Sequence, residues 1–337
     1  MNDRVLIIAE AGVNYNGDIS LAKKMVKAAA ESGADYVKFQ TGVPKLDVSV
    51  FAEKAAYQKV NTGDAQGSES QLEMCSKLML PFEVYPELVK CCEEYHIQFL
   101  SSPFDPQSAV FLHELGMHLW KIPSGEITHF PMLKVIASYG EPVIMSTGMA
   151  TMEEIETSLN YLRENGAGSI TLLHCNSEYP TPYPDANLRA MNTMKEHFGL
   201  EVGYSDHTLG IEVPIAAAAL GARIIEKHFT LDRNMEGPDQ ISSLEPDELK
   251  QLVVAIRHVE AALGTGIKQP TASERKNINI VRKSIVAEGP IKKGEVFTEH
   301  NLACKRPGGG ISPMEWDNVI GKTAIRDYQP DEMIELE

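Results

Sequence analysis

The chain has 337 residues, 43% of them hydrophobic and 23% charged, with a formal net charge of −16. That length accommodates one large domain and a small one. The acidic excess argues against broad electrostatic binding to nucleic acid or anionic lipid, so an anionic substrate would need a site that gathers its own cations.

The first apolar run, residues 5–9, follows Met1-Asn2-Asp3-Arg4 directly. It is too short for a signal-peptide core or a membrane span, and no small-residue cleavage site follows. The five cysteines are an odd number, and Cys91 and Cys92 are neighbours in a helix-like stretch, which speaks against a disulfide framework. A cytosolic protein, with no membrane and no nucleic-acid partner, is expected.

Further short aliphatic runs follow at 36–40, 98–101, 119–122, 143–146, 170–174, 201–204 and 223–227. Stretches of helical periodicity such as 21–31, 152–165 and 211–220 lie between them. β-Branched runs without alternation suit parallel strands buried on both faces. Eight strand–helix units over roughly 260 residues predict a (β/α)8 TIM barrel. An open doubly wound sheet would carry G-x-G-x-x-G after its first strand, and residues 11–17 do not supply it. The last barrel helix is predicted over 246–263, starting from a cap at Ser243 and stopping near Gly264. The barrel is thus assigned to residues 1–264 and a polar linker to 265–282. Residues 283–337, short apolar pieces separated by turns, form a small mostly-β domain.

Barrel active sites sit at the C-terminal ends of the strands. Taken in order, those ends carry Glu10; Lys38 and Gln40; Ser101 and Ser102; Lys121, Ser124 and Glu126; Ser146 and Thr147; His174; Ser205, Asp206 and His207; Glu226, Lys227 and His228. Lys38 and Lys121 are flanked by apolar residues. Each either snorkels outward, binds an anion, or forms a Schiff base as in class I aldolases. The serines at 102, 124, 146 and 205 favour a phosphate or carboxylate cradle. Glu10 and Glu126 are either partners of those lysines or acid–base groups. His207 and His228 are either a hydrogen-bonded structural pair or two ligands of an open Mn²⁺ or Mg²⁺ site, with Asp239 as a further ligand or an orienting group.

Several motifs occur in an ordered set: 8–17 (Ile-Ala-Glu-Ala-Gly-Val-Asn-Tyr-Asn-Gly), Val-Lys-Phe-Gln (37–40), Lys-Ile-Pro-Ser-Gly-Glu (121–126) and Ser-Thr-Gly-Met-Ala (146–150). Leu-His-Cys-Asn-Ser-Glu-Tyr-Pro-Thr-Pro (173–182), Tyr-Ser-Asp-His (204–207) and Glu-Lys-His-Phe-Thr (226–230) complete it. The set resembles the sialic acid synthase family, and the tail from Lys305 to Trp316 resembles that family's antifreeze-protein-like SAF module. The bacterial N-acetylneuraminate synthases are the nearest likeness, the legionaminate synthases close behind.

The resemblance implies condensation of phosphoenolpyruvate with open-chain N-acetylmannosamine and water, giving N-acetylneuraminate and phosphate by C–O cleavage. The alternative product is legionaminate or pseudaminate, from a 2,4-diacetamido-2,4,6-trideoxyhexose. A catalytically silent carbohydrate-binding barrel is the alternative of another class. On this likeness phosphoenolpyruvate is held by Lys38, Ser102, Lys121, Ser124, Ser146 and Ser205. The sugar meets Glu10, Gln40, Tyr179 and Asp239, and Glu226 joins the substrate-binding set. His207 and His228 bind Mn²⁺ or Mg²⁺, with Co²⁺ as a further option. Arg306 reaches into the barrel of a second copy, making a domain-swapped homodimer. Glu126 is expected to be the base that activates water. The chain departs from the family pattern at Tyr15, Ser102, Ser177 and Gln240, which bears on the sugar more than on the condensation.

Overall fold

A parallel sheet needs apolar strands and a layer of helices to cover them. The computed structural model, which describes residues 4–64 and 66–337, has that arrangement; Met1–Asp3 of the predicted barrel range lie outside the described residues. The strands are β1 (Leu6–Gly12), β2 (Tyr36–Thr41), β3 (Gln98–Pro103), β4 (Trp120–Ile122), β5 (Val143–Ser146), β6 (Ile170–His174), β7 (Glu201–Asp206) and β8 (Ile224–His228). They hydrogen-bond in the order β3-β2-β1-β8-β7-β6-β5-β4. Because β1 pairs in parallel with both β2 and β8, the first strand is joined to the last and the sheet curls into a barrel, with β3 and β4 flanking its seam. The fold is the expected (β/α)8 barrel.

Local chemistry explains the elements. The helix Ile19–Ser32 starts where the Asp18 carboxylate accepts from the Ser20 and Leu21 amides, and it ends at Gly33 in the left-handed region at φ 85°. Its buried Ala22, Met25, Val26 and Ala29 fall at i, i+3, i+4 and i+7, the stripe that covers a sheet. Burying a side chain of Met or Val size contributes about 1.5–3 kcal/mol. β1 and β7 run further at their C-terminal ends than the sequence suggested. Ser205 and Asp206 are polar yet buried, and a hydropathy pattern ends a strand too early at such residues. The last barrel helix, Pro246–Leu263, is capped by Glu245 and not by Ser243: the Glu245 amide donates to Glu248 Oε2 at 2.8 Å. Ser243 instead donates its hydroxyl to the Asp239 carbonyl at 2.6 Å.

The connection from β2 towards the helix Tyr85–Glu94 is unusually long and carries three short helices, Pro44–Asp47, Ala56–Asn61 and Gln71–Leu78. Lys54 organises it. Its buried Nζ lies 2.7 Å from Asp64 Oδ2, 3.0 Å from Glu69 Oε2 and 3.3 Å from Thr62 Oγ1. Asn61 ties the same connection to the barrel by donating to the Pro238 carbonyl at 2.7 Å.

The first compact unit ends at Gly264, and Thr265–Glu337 forms the second. The stretch 265–282, expected as a linker, contains the helix Ala272–Val281. Thr271 and Glu274 cap its start reciprocally, a signal hidden by the polar composition around it. Strands β9 (Ser284–Ala287) and β10 (Leu302–Lys305) pair antiparallel. A small core of Ile285, Ile291, Phe297, Tyr328 and Ile334 holds this unit together. Among the described residues no helix is long and apolar enough to cross a membrane.

Candidate active site

A cavity of about 400 Å³ opens at the C-terminal ends of the barrel strands, within the size range of small-molecule sites. Parallel pairing stacks its polar floor: Glu10 is level with Lys38 across β1 and β2, Gln40 with Ser102 across β2 and β3, and Ser205 with Glu226 across β7 and β8. Glu10, Lys38, Lys121 and Glu226 are all at most 3% exposed, so four charges are gathered inside the barrel.

Their contacts set their ionisation. Lys38 Nζ lies 3.2 Å from Glu10 Oε2 and 3.3 Å from Glu226 Oε2, and it donates to Ser102 Oγ at 3.1 Å. Lys121 Nζ donates to Ser146 Oγ at 2.7 Å and lies 3.6 Å from Glu226 Oε1, which also accepts from Ser205 Oγ at 2.9 Å. Burial opposes ionisation of Glu226, but Lys121, Lys38 and the Ser205 hydroxyl outweigh it and hold the carboxyl below its ordinary range. Burial dominates at Glu10, which is raised to about 7 against the pull of Lys38. Burial also works against the Lys38 ammonium, yet Glu10 and Glu226 raise it on balance. Lys121 is lowered by burial, with Lys38 adding to the effect. The Oε2 atoms of both glutamates make no aligned hydrogen bond among the described residues. These groups face one another across space that a ligand can enter.

Ser124 sits on the turn Ser124–Glu126; its hydroxyl accepts from the Gly148 amide at 3.0 Å and meets Cys175 Sγ at 3.0 Å. Gln40 Nε2 donates to Glu10 Oε1 at 3.4 Å. His207 and His228 follow one another around the wall with ring centroids 5.3 Å apart, and Tyr179 lies against both at 4.1 and 5.5 Å. Burial holds both imidazoles neutral near pH 7, His207 at about 4 and His228 well below its usual value. A buried ion pair on the residues just before them, Lys227 Nζ to Asp206 Oδ2 at 2.6 Å, joins the two strand tips. His207 Nδ1 is engaged by the Asn176 carbonyl. His228 Nδ1 is buried without a hydrogen-bond partner among the described residues and lies 3.8 Å from Asp239 Oδ2. Among the described residues no cluster of three or more His, Cys, Asp or Glu side chains is arranged to hold a metal. The donor set therefore fits an open site of two neutral imidazoles completed by water and substrate oxygens, and not a closed one.

The cavity brings together Glu10, Lys38, Gln40, Ser102, Lys121, Ser124, Ser146, Tyr179, Ser205, His207, Glu226, His228 and Asp239. Glu126 is not among the residues that line it, although it acts on Asp47, which is. Pro123, Ser124 and Gly125 line the wall, and Glu126, at the end of the same 3₁₀ turn, bonds His129 Nδ1 through its Oε2 at 2.5 Å. Arg306 belongs to the second unit, where its Nε donates to the Val281 carbonyl at 3.0 Å. Asp47, Tyr57, Gln71, Met74, Cys75 and Cys175 line the cavity without having been singled out in the sequence. Burial raises Asp47 to about 6, helped by Glu126 and Asp105. For Gln71, Met74 and Cys75 a signal existed: with Leu78 they keep helical spacing.

Comparison with known proteins identifies the family. The NeuB family matches residues 25–268, and the SAF domain matches residues 282–337. The N,N'-diacetyllegionaminic acid synthase of Campylobacter jejuni is 54% identical over 98% of this chain and 99% of its own length. The Legionella pneumophila protein of the same name is 46% identical over 94% of this chain and 89% of its own. The crystal structure of N-acetylneuraminic acid (sialic acid) synthetase from Leptospira borgpetersenii, in complex with citrate, superposes with a TM-score of 0.70 at 35% identity. It covers 82% of this chain and 90% of that one. A barrel with this cavity, matched by the family over most of its length and joined to a SAF domain, belongs to the NeuB family of sialic acid synthases.

Proposed function

We propose that this chain condenses phosphoenolpyruvate with open-chain 2,4-diacetamido-2,4,6-trideoxymannose and water, giving N,N'-diacetyllegionaminate and phosphate. This exchanges the first expectation, N-acetylmannosamine as the sugar, for its alternative. The observation that carries the choice is the 54% identity, over nearly the whole of both chains, to a protein named for the legionaminate reaction. The relative named for N-acetylneuraminic acid stands at 35%.

The cavity's own residues supply most of the chemistry. Lys38 and Lys121, each with a serine hydroxyl within 3.1 Å, hold the carboxylate and phosphate of phosphoenolpyruvate and stabilise charge on the intermediate. Ser124 and Ser205 add hydroxyls on either side. Gln40, Tyr179 and Asp239 orient the sugar so that its aldehyde carbon faces the methylene carbon. When bound at His207 and His228, a divalent ion (Mn²⁺, Mg²⁺ or Co²⁺) supplies Lewis acidity towards the aldehyde oxygen. The methylene carbon forms the new C–C bond while water adds at the adjacent carbon, and the tetrahedral intermediate then loses phosphate by C–O cleavage. Glu10 takes the proton from that water. It lines the cavity and is raised to about 7 by burial, near the range in which a carboxylate serves as base. Glu126, expected in that role, is engaged by His129, and Glu10, which lines the cavity, is the residue to which we assign it.

The test is phosphate release from phosphoenolpyruvate with each sugar, with and without EDTA. Release that favours the diacetamido sugar and stops on chelation is expected. Release that survives EDTA, together with inactivation by borohydride in the presence of substrate, would replace this chemistry by Schiff-base catalysis.

A further inference from the structure

The roof of the cavity differs in character from its floor. The helix Gln71–Leu78 turns one face to the cavity: Gln71, Met74, Cys75 and Leu78, at i, i+3, i+4 and i+7. Three of these four are apolar or nearly so, and Met74 is only 4% exposed. The fourth carries an unanswered group. Gln71 Oε1 is buried and has no hydrogen-bond partner among the described residues, while its Nε2 makes only a long 3.7 Å contact with Cys75 Sγ.

A buried acceptor left unpaired is destabilising, and nothing in the phosphoenolpyruvate cradle answers it. The ligand that suits this face has an N–H donor with a methyl group close beside it. Phosphate and carboxylate have neither, and a hydroxyl has no methyl to lay on Met74 and Leu78. An acetamido group has both.

We infer that the face formed by Gln71, Met74, Cys75 and Leu78 is the subsite for the sugar's second acetamido group, Gln71 Oε1 accepting its N–H and Met74 and Leu78 holding its methyl. The inference rests on the function proposed above and deepens it, since N-acetylmannosamine has a hydroxyl where this group stands. With that sugar, water fills the space and answers Gln71, so Gln71 matters less to its turnover.

The experiment measures kcat/KM by phosphate release for both sugars in wild type, Gln71→Leu and Leu78→Asn, and reads the ratio of the diacetamido sugar to N-acetylmannosamine. Gln71→Leu keeps bulk and removes the acceptor; the ratio is expected to fall about tenfold or more. Leu78→Asn wets the wall at a half-buried position and is expected to lower it about threefold. A ratio that stays within about twofold of wild type in either folded variant overturns the subsite; if Gln71→Leu does not fold, Leu78→Asn decides. Wild-type enzyme that releases phosphate with N-acetylmannosamine and not with the diacetamido sugar overturns the underlying function instead, and is recognised before any variant is made.

Discussion

Two glutamates on neighbouring strands, Glu10 and Glu226, share one lysine and are driven in opposite directions. Glu226 touches both lysines and a serine and stays ionised, whereas Glu10 touches Lys38 alone of the two lysines, and its burial, helped by Glu226, outweighs the pull of Lys38 and the more distant Lys121 and raises it to about 7. For Glu10 to accept a proton it must first be ionised, so kcat/KM is expected to fall as pH drops below about 7, with a slope of one. Replacing Glu10 by Gln should cost about 10²–10⁴-fold in rate and remove that acid limb. A pH–rate profile on phosphate release, with Glu126→Gln measured beside it, checks the assignment; a larger loss in Glu126→Gln would return the role to Glu126. These residues were legible in the sequence because ionisable groups ended run after run of apolar strand. The side on which Glu126 points was not legible, because a 3₁₀ turn changes direction within three residues and leaves no periodicity to read.

At the scale of elements, the connection after β2 both builds the cavity's roof and depends on a single ion cluster. Lys54 is lowered by burial but raised further by Asp64 and Glu69, so it stays charged. Asp64, bound by Lys54 and by backbone and side-chain donors, is held well below the ordinary carboxylate range. Glu69 is lowered too, chiefly by Lys77 and with burial opposing. Carboxylates with depressed folded values stabilise above their unfolded range, and that contribution disappears as pH falls through the folded values. The roof should therefore stay closed through mildly acidic conditions. Lys54→Met removes the hub: limited proteolysis between residues 42 and 81 is expected to speed up, and KM for the sugar to rise about tenfold while KM for phosphoenolpyruvate changes little. Equal changes in both would assign Lys54 to the general stability of the barrel. The strands and main helices were legible as alternating patterns, but this roof was not. Its helices are short and their inward faces mix Gln, Cys and Met, so the hydrophobic stripe that marks a buried face is blurred. The helix Ala272–Val281 was missed for a related reason: its cap was present, but no residue of it is buried.

The whole molecule has two compact units, the barrel and a second one that carries Arg306. We propose that this arginine serves the barrel of a second copy, as the sequence resemblance led us to expect, and the consequence can be measured. Arg306→Ala and Lys38→Met chains, each expected to be inactive alone, should regain about a quarter of wild-type activity when mixed and allowed to exchange, because half of the dimers then hold one intact site. Absence of recovery, with dimers seen by sedimentation, would confine Arg306 to its own chain.

The floor of the cavity also has a consequence for how the protein meets its medium. Before any substrate arrives, Lys38 and Lys121 already have their counter-ions, and those counter-ions are built into strands β1 and β8. A surface patch of lysines gives up mobile salt ions when an anion binds, so its affinity drops steeply as salt is added. Here the displaced partners are tethered. Glu10 and Glu226 cannot diffuse away; they must turn aside within the cavity. On the function proposed, recognition of phosphoenolpyruvate by this floor is an exchange against the protein's own carboxylates, and its affinity is expected to fall far less steeply with added salt than that of a surface patch.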